Sequence, residues 1–353
     1  MNKIKVAIWG FGAMGQGMAK VLLGKKGIEI TGVCDINPAI VGKGINDILN
    51  VPTDNPNVII TADIKEAIKP ASCDVCLLAT DSFVKKSFDK MELLLNLGVN
   101  VITSAEEMAY PKANEPELAK KLDKIAKANN VSILGTGINP GLVMDLLAIC
   151  LSGAMTDVES VLCRRVNSLS PFGPTVMEEQ GVGISEAEFN KGVADGHLAG
   201  HVGFNESVTM IADGLGLEID DFKQQMKPII TTVDRKSPYG FAAAGNLAGV
   251  NMTAQGTKSG KLVIDMYHPQ QIEPETEGTN TGDYIVLKGT PEINMQITPE
   301  IDGGLGTIAM CINCIPQVIN ADSGLITMLD IPVPRAIMGD FTKLVKPEKR
   351  IKP

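Results

Sequence analysis

The stretch KVAIWGFGAMGQGMAKVLL, residues 5–23, runs from an apolar, strand-like segment into Gly10-Phe11-Gly12-Ala13-Met14-Gly15 and then into helical periodicity. Gly10 permits a tight turn, Gly12 lets the backbone come close to a diphosphate, and Gly15 lets the helix lie against the strand. The helix opening here would present free N–H groups and a partial positive charge to a bound anion. Met14, Met18, Val21 and Leu22 make the stripe that packs such a helix on a sheet. Asp35 stands at the end of the next strand-like run, twenty residues beyond Gly15, where a carboxylate meets an adenosine ribose. The glycine motif alone is common. Its place after a strand, before a helix and ahead of Asp35 points to a dinucleotide-binding turn and not to a merely structural one. A carboxylate at position 35 accepts both ribose hydroxyls of NAD and repels the 2′-phosphate of NADP. Ile36-Asn37-Pro38 adds no arginine to offset that repulsion, although Lys43 lies further along. NAD is therefore the expected nucleotide, with NADP also open.

Strand-like runs at 4–9, 28–34, 58–60, 75–79, 99–103 and 132–134 alternate with helical stretches at 14–24, 63–69, 83–97 and 115–129. This alternation specifies an α/β fold of Rossmann type, with a doubly wound parallel sheet. From about Gly153 the rhythm changes. Residues 158–166 alternate as a strand, NSLSPFGP reads as a loop, and 186–194 and 206–215 read as helices. Residues 229–301 read as several strands with Gly, Pro and Asn turns, so a second, α+β substrate or dimerisation domain is expected. A helical run at 305–319 carries Pro316 near its end, which predicts a kink there. The expected division is a dinucleotide-binding domain over 1–140, a substrate domain over 141–304, and a C-terminal helix and tail over 305–353 that return to the first domain. The basic tail KLVKPEKRIKP is expected to fray.

A net charge of −9 argues against nucleic acid or an anionic membrane as partner. The N-terminal MNKIKVAIWG lacks the apolar core of a signal peptide, and no window reaches the length of a membrane span. Seven cysteines, an odd number, suit a reducing compartment, and a cytoplasmic location is expected. Cys73 and Cys76 fall in a strand, where residues three apart point to opposite faces. Cys311 and Cys314 fall on a helix, without further ligands nearby in sequence. Both pairs read as buried thiols, and no metal is expected.

Ligands of open parallel sheets lie beyond the carboxyl ends of the strands. Those ends carry Ala79-Thr80-Asp81, Thr103-Ser104-Ala105-Glu106-Glu107 and the loop 135–141. Ala79, Thr80, Ser104 and Asn139 are the candidate contacts to the nicotinamide half of the nucleotide. ITSAEEMAYP (101–110), GTGINPGLVMDLL (135–147), GHVGFNES (200–207) and INADSGLITMLDIP (319–332), taken with Gly10–Gly15, resemble the 2,4-diaminopentanoate dehydrogenase family. That family belongs to a wider group whose N-terminal domain is dihydrodipicolinate reductase-like. The resemblance runs over nearly the whole chain, and the later motifs are more specific than the glycine turn. It implies NAD- or NADP-dependent oxidative deamination of 2,4-diaminopentanoate at C4, yielding 2-amino-4-oxopentanoate and ammonia in ornithine breakdown. It also implies a homo-oligomer, a dimer or larger.

Such chemistry sets demands on side chains. Hydride leaves a carbon that bears a neutral amine, so the site must take a proton and then activate water against the imine. His201, in the turn Gly200-His201-Val202-Gly203, is a candidate proton shuttle, or else it packs or caps the following helix. His197 and His268 read as structural or exposed. Glu106 is the other catalytic candidate, but Thr103-x-x-Glu106 and Ser104-x-x-Glu107 also fit helix capping boxes. Asp63-Ile-Lys-Glu66 and Ser185-Glu-Ala-Glu188 fit capping patterns alone. Glu206 is a candidate ammonium partner, or a carboxylate stabilised by a helix N-terminus. Arg164 and Arg165, adjacent on a strand, face opposite ways; one could grip the substrate carboxylate while the other makes a surface ion pair. Asn139 could serve substrate as well as nucleotide, and Asp145 reads as structural. Two other readings stay open. One is a related imine or carbonyl reductase of diaminopimelate or dihydrodipicolinate type, although GHLAGHV separates its histidines and lacks the lysine the latter would need. The other is a regulator that senses NAD(H) without turnover and so needs no acid–base residue.

Overall fold

Uninterrupted apolar runs that alternate with amphipathic helices can hide both faces only inside a parallel sheet covered on each side. The computed structural model describes residues 3–51, 55–70, 72–198 and 200–349, so the start of the chain and residues 350–353 of the basic tail lie outside the described residues. Two compact units emerge, Met1–Gly141 with Gly303–Pro353, and Leu142–Asp302. Elements are numbered in chain order.

The first unit is built on β1 (Ile4–Trp9), β2 (Ile28–Cys34), β3 (Ile60–Thr61), β4 (Val75–Leu78), β5 (Asn100–Thr103), β6 (Ser132–Gly135) and β15 (Gly324–Ile326). They lie in the order β15-β6-β5-β4-β1-β2-β3, and every pairing is parallel. The order reverses between β1 and β4, which is the switch point where such sheets bind ligands. The helices are α1 (Ala13–Leu23), α2 (Ile45–Leu49), α3 (Ile64–Ala67), α4 (Val84–Asn96), α5 (Pro116–Ala128), α10 (Gly303–Asn313) and α11 (Ile315–Asn320). Side chains of α3, α4 and α5 share one core with Ala7, Cys76, Val101 and Ile133. Helix α1 meets Ile8, and adjacent strand residues point to opposite faces, so α1 covers the other side. The returning helix α10 packs on α1 where Gly17 faces Ile308.

The second unit centres on a six-stranded sheet of order β14-β13-β7-β12-β11-β8. Its strands are β7 (Asp157–Ser168), β8 (Asp221–Ile230), β11 (Leu247–Lys258), β12 (Lys261–Gln271), β13 (Gly282–Thr290) and β14 (Ile293–Ile297). Only β7 and β12 run parallel. A two-stranded ribbon joins β9 (Arg235–Lys236) to β10 (Phe241–Ala242). The helices are α6 (Leu146–Ser152), α7 (Pro174–Glu179), α8 (Glu186–Ala194) and α9 (Phe204–Leu215). Helix α9 lies over the sheet, with Val208 against Gly256 of β11.

Several expectations need correction. The helical run near 305–319 is broken, not kinked: α10 ends at Asn313, Cys314 caps a new helix, and Pro316 occupies its first turn, where a missing N–H costs nothing. The Ser/Pro/Gly-rich loop lies over 169–173 as expected, and a short helix, α7, follows it with Pro174 at its start. Strand β8 begins eight residues earlier than the apolar pattern suggests, at Asp221. It is an edge strand paired only with β11, so its exposed polar side chains carry no clear period.

Candidate functional site

The glycine turn occupies the switch point, and each glycine there meets a different constraint. Gly10 has φ +94°, and a Cβ on it would lie 2.4 Å from the Ala79 carbonyl oxygen beyond β4. A Cβ on Gly15 would lie 1.9 Å from the Gly10 oxygen, so the close fit of α1 on β1 excludes any side chain. Gly12 is exposed and caps α1 without a side-chain hydrogen bond, and a Cβ on it would meet nothing within 4 Å. The fold itself does not need glycine there. A diphosphate lying on the amides of Gly12, Ala13 and Met14 does, because any side chain would stand between it and the helix terminus. The Phe11 side chain is fully buried, and its amide donates to Asp35 Oδ2. The Asn37 amide donates to Asp35 Oδ1 at 2.8 Å. Both Asp35 oxygens are thus fixed beside the turn, in the place a ribose-binding carboxylate occupies. The residues present fit an adenine dinucleotide.

The neighbouring strand ends are braced. Lys90 of α4 donates to Thr80 Oγ1 at 2.9 Å and pairs with Asp81 at 2.7 Å, while the Thr80 methyl group abuts Gly10. The Ser104 amide donates to the Leu78 carbonyl, tying the end of β5 to β4. Glu106 and Glu107 open a 3₁₀ turn, Glu106–Ala109, and neither expected capping box forms. Thr103 is still in the strand, where its hydroxyl accepts from the Ala105 amide, and Ala105 is the cap. Glu107 instead caps α4, accepting from the Val84 amide at 2.8 Å, while its own amide donates to the Ser82 carbonyl. Glu106 is half-buried at the sheet's carboxyl edge. Asn139 is buried in the loop after β6, where the Ile138 amide donates to Thr307 Oγ1 of α10.

In the second unit, polar side chains gather on the inward face of the sheet. Along β7 the inward parity runs Val161, Cys163, Arg165 and Asn167; along β12 it runs Ile264, Met266, His268 and Gln270. Parallel pairing aligns Asn167 with Gln270. The turn before α9 adds His201, whose ring stands edge-on to His268 with centroids 4.7 Å apart, and Phe204 lies 6.0 Å from His201. Burial holds the His268 imidazole well below its ordinary pKa, with His201 and Arg165 acting in the same direction. The ring is therefore neutral at pH 7. Asn167 Nδ2 donates to the Ser168 carbonyl, which turns Oδ1 toward His268. His268 Nε2–H donates to that oxygen at 2.9 Å, leaving Nδ1 as the unprotonated nitrogen.

The arginine pair faces opposite ways as expected, but its ion pair is buried. Arg165 is 2% exposed; it donates to Asp283 at 2.6 Å and to the Ile301 carbonyl at 2.7 Å. Arg164 is exposed and lies over the Tyr284 ring. Of the two expected readings of His268, structural or exposed, burial excludes the second. Glu206 is buried in the first turn of α9. Asp145 caps α6 through the Leu146 amide and accepts from Ser207 Oγ at 2.8 Å, a structural role. Ser185 and Glu188 form a full capping box, and Asp63 caps α3 alone. Asn167 and Gln270 escape a reading of the sequence alone, and His268 reads there only as structural or exposed. The signal was there: polar residues that continue the inward parity of apolar strands, at the same end of two strands that pair.

The described residues contain no group of His, Cys, Asp and Glu able to hold a metal, and no helix among them is long and apolar enough to cross a membrane. All seven cysteines are free thiols. The family model described as the 2,4-diaminopentanoate dehydrogenase C-terminal domain matches residues 142–347. The chain is 56% identical over 352 residues to 2,4-diaminopentanoate dehydrogenase of Acetoanaerobium sticklandii, covering 99% of each. It is 22% identical to an amine dehydrogenase of Streptomyces virginiae, over 95% of this chain and 98% of that one. Its fold is similar to that of the solved amine dehydrogenase from Mycobacterium smegmatis, with a TM-score of 0.84, 24% identity, and coverage of 95% and 98%.

Proposed function

The chain belongs to the 2,4-diaminopentanoate dehydrogenase family, and on that premise we propose that it carries out the oxidative deamination of 2,4-diaminopentanoate. The observation that carries this reading is the 56% identity across 99% of both chains. The reaction removes hydride from C4 and leaves 2-amino-4-oxopentanoate, ammonia and reduced nucleotide, a step suited to ornithine degradation. The nicotinamide ring supplies the hydride acceptor. The chain's residues then have three tasks. The turn 10–15 and Asp35 bind the nucleotide, with Ala79, Thr80, Ser104 and Asn139 as contacts to its nicotinamide half. A base takes a proton from the C4 ammonium and leaves a neutral amine, because an ammonium group cannot release hydride. Water then adds to the C4 imine, and ammonia leaves with the returned proton. His201 and Glu106 are the residues assigned to that proton traffic. Glu206 faces the positive ammonium groups as a buried carboxylate. Arg164, exposed on the opposite face of β7 and lying over the Tyr284 ring, is left out of the substrate site. Arg165 acts one step back, through the Asp283 pair.

NAD is the preferred nucleotide in this reading. The support is Asp35, whose two oxygens are oriented by the Phe11 and Asn37 amides and whose negative charge opposes a 2′-phosphate. Asp35→Ser should narrow the NAD-over-NADP ratio of kcat/KM by about 10-fold or more, the effect of removing one close like-charge contact. The free thiols favour the cytoplasm, and the family resemblance favours a homo-oligomer; sedimentation of the purified protein tests the latter. The function is tested by supplying NAD or NADP with a panel of diamino acids and following reduced nicotinamide and ammonia together. Equal formation of both with 2,4-diaminopentanoate is expected. Absence of either with every amine would overturn the reading.

A further inference from the structure

Gln270 carries a buried donor that the fold leaves unused. It lies on β12, two residues beyond His268 and on the parity that buries Ile264 and Met266, and it is 4% exposed. Strand pairing sets it between Asn167 of β7 and Val250 of β11, so it belongs to the polar end of the inward sheet face. Its Nε2 has no hydrogen-bond partner among the described residues. Buried amide nitrogens almost always find an acceptor, so a bare one calls for an explanation, and a ligand's acceptor supplies one.

Two acceptors of this sheet already hold donors. Asn167 Oδ1 receives the His268 proton, and Asp283 receives the Arg165 guanidinium. Val250 on the other side offers only backbone groups, which serve the ladder. What approaches Gln270 must therefore bring its own acceptor. Of the polar groups of 2,4-diaminopentanoate in its reacting form, the C2 ammonium only donates, the neutral C4 amine keeps its single lone pair for the departure of hydride, and the carboxylate only accepts.

We propose that Gln270 is a specificity-determining residue whose Nε2–H donates to the substrate carboxylate, so that the enzyme selects an amino acid over a simple alkylamine. The inference rests on the oxidative deamination proposed above and goes beyond it by assigning a recognition role to a residue with no catalytic part. It concerns binding and not chemistry, so the effect belongs in KM.

The test compares wild-type enzyme with Gln270→Met, which keeps the length of the side chain and removes the donor. KM for 2,4-diaminopentanoate should rise about 10- to 100-fold, the equivalent of one hydrogen bond to a charged group, with kcat within about threefold. Affinity for NADH should stay unchanged. A folded Gln270→Met enzyme with KM within about twofold of wild type, or with its loss confined to kcat, overturns the proposal. A crystal of wild-type enzyme with NADH and 2,4-diaminopentanoate, a pair that cannot react, gives a second reading independent of any variant's folding. Nε2 should lie within about 3.2 Å of a carboxylate oxygen, and a separation beyond about 4 Å from both oxygens contradicts the assignment. Wild-type turnover on 2,4-diaminopentanoate is measured first and separates the two hypotheses: its absence counts against the function, and an unaltered KM in the variant counts against Gln270.

Discussion

Gly12 and Gly15 sit three residues apart and obey different masters. A Cβ at Gly15 collides with the Gly10 carbonyl, whereas a Cβ at Gly12 meets only open space. Gly15→Ala should therefore cost about 1–3 kcal/mol of stability, the usual penalty of overpacking, and lower the melting temperature. Gly12→Val should leave the melting temperature within about 2 °C of wild type while weakening NADH binding at least about 10-fold. Calorimetric titration beside thermal melts separates the two effects, and a Gly12→Val protein that binds NADH normally would contradict the assigned diphosphate site. His268 supplies a different residue-scale expectation. Its folded pKa is depressed by burial, so below about pH 6.5 the unfolded chain takes up a proton that the folded ring refuses. The stability tied to this neutral ring is complete above that pH and declines as pH falls. His268→Asn should flatten the dependence of melting temperature on pH between about 6.5 and 5; an unchanged slope would show that the ring is not held neutral. The glycines and Asp35 were legible because their roles are local to one turn. His268 was not, because its significance comes from pairing with β7 and from the turn before α9, more than sixty residues away in the chain.

Loops gain their precision from the elements that grip them. The segment after β4 is held on one side by Lys90 and on the other by Glu107, which caps a helix that has no cap of its own. Lys90→Met should release Thr80 from the glycine turn and raise the dissociation constant for NADH about 3- to 10-fold, with Lys90→Arg closer to wild type. Equal affinity in wild type and Lys90→Met would show that the brace is incidental to the nucleotide. In the second unit Arg235 is buried and donates to Gln271, the Ile272 carbonyl and Glu277. Hydrogen bonds from Thr232 and Arg235 hold the Glu277 carboxyl down to about 2. Its contribution to stability is therefore present above the ordinary carboxylate range and lost as pH falls from about 4.5 toward 2. Glu277→Gln should reduce the acid sensitivity of melting in that window and leave the neutral region alone. Long elements with a single buried stripe were readable almost to the residue, as with 28–34 and 186–194. The three-residue β15 and the polar edge strand β8 gave no period to count. The tempting capping boxes at 103–107 failed because a strand end and a 3₁₀ turn occupy the place of a helix start.

At the scale of the molecule, the chain spends its ends on one unit and its middle on the other. The C-terminal residues return so that α10 can pack on α1 and β15 can extend the parallel sheet past β6. The change from βα alternation to antiparallel strands was visible in the sequence, since the two architectures bury their strands differently. The polar end of the second sheet was not, because its register is fixed by strands that are remote in sequence. In the proposed reaction, hydride leaves C4 of a diamino acid for a nicotinamide ring. Purified enzyme given NAD and 2,4-diaminopentanoate deuterated at C4 tests this most directly. Deuterium is expected in the reduced nicotinamide, with one ammonia released per hydride and no label transfer from substrate deuterated at C2; label arriving from C2, or reduced nucleotide without ammonia, would contradict the proposed reaction.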